Sequence, residues 1–178
     1  MSSPALQIVD LEEHHLKALM RIDAEVYPEP WSKRLWRAEL SRSERVYLAA
    51  TAGEELVGYA GALLAVDDAH VTTIVASPDH QRRGIGSHLL LELVERCVSL
   101  GATGLTLEVR AANSAAQAMY RQFGMAPVGV RKGYYQPDDE DALVMWAREI
   151  DQPEYRARLS VIAEALDDGR ADESEAVA

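Results

Sequence analysis

A single cysteine in 178 residues, Cys97, cannot close an internal disulfide. That excludes the disulfide-scaffold class and a thiolate-rich zinc site, and makes a reducing compartment, the cytoplasm, the default expectation. The five histidines, His14, His15, His70, His80 and His88, show no His-x-x-x-His spacing, so no metal is expected. Long apolar runs are missing too. The longest uncharged one, Leu56 to Val66, has eleven residues, where a membrane span takes about 20. Asp10, Glu12 and Glu13 interrupt the first nineteen positions, so neither a spanning helix nor a signal peptide is expected. Positive charge is scarce: 18 Lys and Arg against 29 Asp and Glu leave a net charge of −11, which repels a phosphate backbone and argues against nucleic-acid binding. There is no Walker A loop, no Gly-x-Gly-x-x-Gly fingerprint and no Gly-x-Ser-x-Gly elbow.

What is present fits one domain, at about 150 residues per domain, with a short appendage. Leu6 to Leu11 reads as a strand and Glu12 to Val26 as a helix broken by Pro28-Glu29-Pro30, after which Ser32 is placed to cap a second helix. Val46 to Thr51 and Leu56 to Val66 form a hairpin around Gly53, and His70 to Ala76 is the next strand. The period then changes. Ile85, Leu89, Leu93, Cys97 and Leu100 recur every three or four residues up to Gly101, an amphipathic helix that buries Cys97 as an inert apolar side chain and argues against an acyl-cysteine intermediate. Leu105, Leu107 and Val109 alternate with Thr106, Glu108 and Arg110 in a two-faced strand. Ser114-Ala115-Ala116-Gln117 has capping-box spacing and opens a helix ending at Gly124. Strands over 125–131 and 141–148 complete an α/β (α+β) body of order β-α-α-β-β-β-α-β-α-β-β, with Tyr134 and Tyr135 in the connecting loop. Residues 1–152 make this body; 153–178 read as an appended helix, Tyr155 to Leu166, and an acidic flexible tail.

The strongest local signal is Gln81-Arg82-Arg83-Gly84-Ile85-Gly86-Ser87, a glycine-containing turn between strand and helix. Free amides at a helix N-terminus favour anions, and two arginines add positive charge, so this is a candidate diphosphate cradle. A surface helix start relieved by glycine is the plainer alternative.

Gln81-x-x-Gly84-x-Gly86 after Ile74-Val75-Ala76-Ser77-Pro78, then Leu107-Glu108-Val109-Arg110-Ala111-x-Asn113 and Ala118-Met119-Tyr120-x-x-x-Gly124-Met125, resembles the GNAT acetyltransferases. Pro30-Trp31-Ser32 and Tyr134-Tyr135 followed by Glu140-Asp141-Ala142 resemble the RimI-type members, which acetylate the N-terminal alanine of a small-subunit ribosomal protein. The resemblance covers about residues 5 to 150. It implies a mostly antiparallel sheet of about seven strands with helices on both faces, and acetyl-CoA held by Ile74, Val75 and Ala76, by Arg82, Arg83, Gly84, Ile85, Gly86 and Ser87, and by Asn113. Amides near Val75 would stabilise the oxyanion. It implies Glu108 as general base and Tyr120 as general acid, with Trp31, Tyr134 and Tyr135 lining the acceptor groove. Two positions depart from the pattern: Ser77, where an acidic residue is frequent, and Gly133, where many relatives carry Asn.

Each residue also has a purely structural reading. Glu108 would be a strand-face carboxylate paired with an arginine, Tyr120 a core aromatic, Asn113 a helix cap, Trp31 an anchor and Tyr134-Tyr135 a packed hairpin. Asp138, Asp139, Glu140 and Asp141 would form a solvated turn or attract a basic peptide. The expected function is transfer of acetyl from acetyl-CoA to a protein N-terminus by direct attack in a ternary complex, in a monomer or weak dimer. A small-amine acetyltransferase and a non-catalytic acyl-CoA binding module are the alternatives.

Overall fold

β2 (Arg45–Ala52) and β3 (Glu55–Ala65) are apolar on both pleats because the sheet they centre is covered on both faces. In β2, Val46, Leu48 and Ala50 enter one core while Tyr47 and Ala49 enter the other. The computed structural model describes residues 4–175. Seven strands lie in the order β1-β2-β3-β4-β5-β7-β6, with β1 at Leu6–Asp10, β4 at Asp68–Ala76, β5 at Gly104–Arg110, β6 at Ala126–Tyr135 and β7 at Glu140–Arg148. Every pairing is antiparallel except β4 with β5.

One face carries α1 (Leu16–Val26) and α2 (Lys33–Leu40), whose Leu16, Leu19, Ile22 and Trp36 pack with Tyr47, Tyr59 and Val75. The other carries α3 (Ile85–Ser99), α4 (Ser114–Gln122) and α5 (Pro153–Glu175). There Leu89, Leu90, Leu93, Cys97, Phe123, Tyr155 and Leu159 close over the larger core. Tyr155 ties α5 down by donating its hydroxyl to the Phe123 carbonyl at 2.6 Å. Among the described residues no helix is long and apolar enough to cross a membrane.

Four local expectations change. The helix expected from Glu12 opens as a 3₁₀ turn, Glu13–His15, because His15 Nδ1 accepts from the Glu12 amide at 3.0 Å and holds a tight first turn. The capping box at Ser114 does not form: Asn113 caps α4, accepting from the Ala116 amide at 3.0 Å, and Gln117 donates instead to the Arg110 and Ala111 carbonyls. β6 runs on to Tyr135 through two register shifts, so Tyr134 and Tyr135 lie on a strand end and not in a loop. Glu140 and Asp141 are pins rather than a solvated turn. Glu140 accepts from Arg110 (2.7 Å) and the Ala112 amide (3.0 Å), Asp141 from Lys132 (2.8 Å) and the Gly133 amide (2.9 Å).

Candidate active site

The parallel ladder between β4 and β5 holds for three pairs only, Asp68 with Gly104, Ala69 with Leu105 and His70 with Thr106. Beyond them β4 stays on β3 and β5 stays on β7, so a gap opens in mid-sheet. The Ser77 amide donates to the Val57 carbonyl at 2.8 Å. Strand alternation then turns the Val75 backbone toward β3, and the N–H and C=O groups of Ile74 and Ala76 toward the gap. Val75 sends its side chain into the smaller core. Gly58 belongs to this construction, since a Cβ there would stand 2.6 Å from the Val75 carbonyl oxygen.

A bulge tunes the same strand. Gly61 pairs with Thr73 and Ala62 with Val71, leaving Thr72 as the extra residue. Val71 and Ile74 consequently both pack toward the α3 face, while Thr73 turns its hydroxyl to that of Tyr27 at 3.1 Å.

At the end of β4 the chain makes the turn with Arg82 at φ 65° and Gly84 at φ 72°. The first α3 hydrogen bond runs from His88 N–H to the Gly84 carbonyl, and no side chain caps the helix. The amides of Ile85, Gly86 and Ser87 therefore have no acceptor within the helix. Arg82 and Arg83 are exposed, and among the described residues neither is in an ion pair. The combination suits a diphosphate. Gly86 lets β4 and α4 close in: its Cβ position is 3.5 Å from Met119 Sδ and 3.9 Å from Ile74 Cγ2.

Glu108 stands on β5 just past the last paired residue. Its side chain is 9% exposed, and Oε2 lies 2.9 Å from His70 Nε2 while Oε1 lies 3.3 Å from Arg131 Nη1. Arg131 compensates a buried carboxylate that would otherwise be costly, and His70 stands within hydrogen-bond distance of it. Tyr120, on α4, is buried, and burial first, then the neighbouring Tyr135 and Tyr27 phenols, push its hydroxyl up to about 12. It is a proton donor throughout the neutral range.

Tyr134 and Tyr135 sit edge to face at 5.1 Å, with Arg131 5.3 Å over the Tyr134 ring and Arg110 4.3 Å over the Tyr135 ring. Gly133 precedes them at φ 59°, in the left-handed region that favours glycine, and a Cβ there would meet the Asp139 carboxylate. Trp31 is exposed and leans on the buried Trp36 at 5.1 Å. Trp36 is fastened by its Nε1–H to Asp23 Oδ2 at 3.0 Å, and Asp23, 2% exposed, also accepts from the Tyr59 hydroxyl. This buried carboxylate holds α1, α2 and β3 together beneath the Val26–Trp31 connection.

The structure thus puts Ile74, Ala76 and Glu108 at the gap, with Tyr135 within electrostatic reach of Glu108 and Tyr120 within reach of Tyr135 and Tyr27, and the Arg82–Ser87 turn following β4. It spends the Asn113 side-chain oxygen on the α4 cap. His70, Arg131, Tyr27 and Asp23 were missed by sequence reasoning. For His70 and Glu108 a shared sheet face was the available signal, but it requires the β4/β5 register. Cys97 is buried, and burial pushes its thiol up to about 12.

The model of the acetyltransferase (GNAT) family matches residues 16–125. The chain belongs to the GNAT acetyltransferase family, and its fold and enzyme class follow from that membership. It is 39% identical over 126 residues to the putative ribosomal protein bS18-alanine N-acetyltransferase of Bacillus subtilis (strain 168), covering 70% of this chain and 83% of that protein. It is 33% identical over 141 residues to the ribosomal protein bS18-alanine N-acetyltransferase of Escherichia coli (strain K12), covering 78% of this chain and 94% of that one. The crystal structure of the ribosomal-protein-S18-alanine N-acetyltransferase from Escherichia coli superposes with a TM-score of 0.73 at 30% identity, over 82% of this chain and 94% of that one.

Proposed function

We propose that the chain transfers acetyl from acetyl-CoA to the N-terminal α-amine of a protein, with the N-terminal alanine of a small-subunit ribosomal protein as acceptor. The observation that carries this is the buried Glu108 beside the β4/β5 gap, paired with Arg131 and His70, with a turn of uncapped helix amides after β4. Acetyl-CoA supplies an activated thioester. The amides of Ile85, Gly86 and Ser87, with Arg82 and Arg83, hold its diphosphate, and the gap-facing backbone of Ile74 and Ala76 orients the arm and stabilises the oxyanion, Val75 acting through its place between them. Asn113 contributes through the α4 entrance it caps.

Glu108 accepts the proton of the attacking amine, and Tyr120 donates to the departing sulfur. A carboxylate is a modest base, which suits this acceptor: an α-amine of pKa about 7.8 is roughly one-third neutral at pH 7.5, whereas a lysine near 10.4 is about 0.1% neutral. Trp31, Tyr134 and Tyr135 line the acceptor groove. The activity named for the Bacillus subtilis and Escherichia coli relatives supports the ribosomal alanine acceptor, and the net charge of −11 favours a basic protein over nucleic acid. We place the enzyme in the cytoplasm as a monomer or weak dimer, with residues 1–152 as the acetyltransferase domain and 153–178 appended.

Mass spectrometry of an alanine-starting ribosomal-type peptide, its N-blocked lysine-containing counterpart and a panel of small amines tests the reading. Acetylation confined to the free N-terminus is expected. Transfer to small amines alone would replace the protein acceptor with a metabolite, and acetyl-CoA binding without transfer to anything would indicate a sensing module.

A further inference from the structure

Glu108 must lose the proton it takes before it can act again, and its surroundings restrict how. Its side chain is 9% exposed, so direct discharge to water is hindered. Arg131, at Oε1, is permanently protonated and can only compensate charge. The half-buried Tyr135 phenol, raised by burial first and then by Tyr134, is already protonated. His70 differs from all of these. Its Nε2 stands 2.9 Å from Glu108 Oε2, its ring is 29% exposed, and an imidazole has one nitrogen to accept a proton and another to release one.

His70 is placed there by the fold rather than by chance of rotamer. It is the last β4 residue paired with β5, opposite Thr106, so its side chain emerges on the same sheet face as Glu108 at the mouth of the gap. One residue farther along, Val71 turns into the larger core, and two farther along Thr72 is spent on the bulge.

We propose that His70 is a positioning residue that acts through Glu108, taking the amine's proton from its carboxyl group and carrying it out to solvent. The inference rests on the assignment of Glu108 as base. As the amine nitrogen bonds to the acetyl carbon and the carbon–sulfur bond breaks to release the thiolate, an N–H proton passes to the Glu108 carboxylate. The carboxylic acid then gives it to Nε2 of an imidazole in its Nδ1–H tautomer, the imidazolium releases the Nδ1 proton to water, and exchange with water returns the ring to the Nδ1–H tautomer for the next turnover. Glu108 is restored as a carboxylate and His70 as neutral imidazole.

The test compares wild type with His70→Gln, His70→Ala and Glu108→Gln on the same amine acceptor. Acetyl-CoA binding is measured by calorimetry on each, which shows that the variants fold. Glutamine keeps a polar side chain of similar reach but cannot relay, so kcat is expected to fall about tenfold in His70→Gln with the KM for acetyl-CoA within twofold of wild type. Imidazole added to His70→Ala should restore much of kcat, whereas pyrazole, of the same size and far less basic, should not. Full kcat in His70→Gln alongside an inactive Glu108→Gln would overturn the relay and leave the base in place. Equal rescue by imidazole and pyrazole would reduce His70 to a space-filling role, also overturning it. An active Glu108→Gln would sink the base assignment and the relay with it.

Discussion

Glu108 shows how one side chain obtains its chemistry from three strands. The alternation of β5 puts it opposite the leucines, β4 supplies His70 and β6 supplies Arg131. Replacing the carboxylate with an amide of the same shape leaves the acetyl-CoA contacts untouched, so Glu108→Gln should lower kcat/KM by about 10²- to 10⁴-fold, the range of positioned proton transfer. Acetyl-CoA affinity should be unchanged; a parallel loss of both would make Glu108 a structural ion-pair partner. At this scale the motif residues were readable because chemistry selects residue type. Their partners were not, since His70 and Arg131 lie 38 and 23 positions away and meet Glu108 only through strand register.

Among the elements, β4 decides the most. It is held to β3 along its length and released from β5 after His70, and the closeness of β3 at Val75 depends on a glycine. Gly58→Ala should push the two strands apart at Val75, shifting the gap-facing groups of Ile74 and Ala76. We expect a loss of about 1 to 3 kcal/mol from overpacking and a raised KM for acetyl-CoA, read by thermal unfolding and steady-state kinetics. A raised KM with unchanged stability would point to the ligand rather than to the strands. The α3 stripe, the Ser32 cap and the hairpin at Gly53 were legible because each is a local pattern. The Ser32 hydroxyl does accept from the Leu35 amide, at 3.3 Å. The α4 entrance was legible in part: the reading of Asn113 as a helix cap holds, while the Ser114 box fails because Gln117 is held by two carbonyls of the preceding turn.

For the whole molecule, the appended helix and the buried phenols set the stability. Tyr155 and Leu159 of α5 lie in the larger core; at about 1.5 to 3 kcal/mol for each large buried side chain, ending the chain at Gln152 should remove several kcal/mol and lower Tm by about 10 °C or more. Calorimetric scans of the two chains would show it, and an unchanged Tm would mean that α5 does not stay packed. Burial also pushes the phenols of Tyr47, Tyr120 and Tyr155 up to about 12 from 10.0. Groups raised in this way contribute stability that is complete below pH 10 and fades as pH rises toward 12, because the unfolded chain loses those protons first. Each two-unit shift is worth about 2.7 kcal/mol, comparable to a good part of a domain's total of about 5 to 15. Unfolding is therefore expected between about pH 10 and 12, with a late rise in tyrosinate absorbance coincident with loss of circular dichroism. Ionisation of every tyrosine ahead of unfolding would contradict it.

The amino-acid sequence by itself determined the element order, the hairpin around Gly53, the glycine-relieved turn before α3 and the residue types available for acyl transfer. All of these depend on spacings of a few residues, where backbone geometry alone relates neighbours. Only the tertiary structure decided that β4 and β5 part after three pairs, that the gap-facing groups belong to Ile74 and Ala76, and that His70 and Arg131 flank Glu108. Those are consequences of which strands lie side by side and in what register, and register is set by packing across the whole sheet rather than by any segment of it.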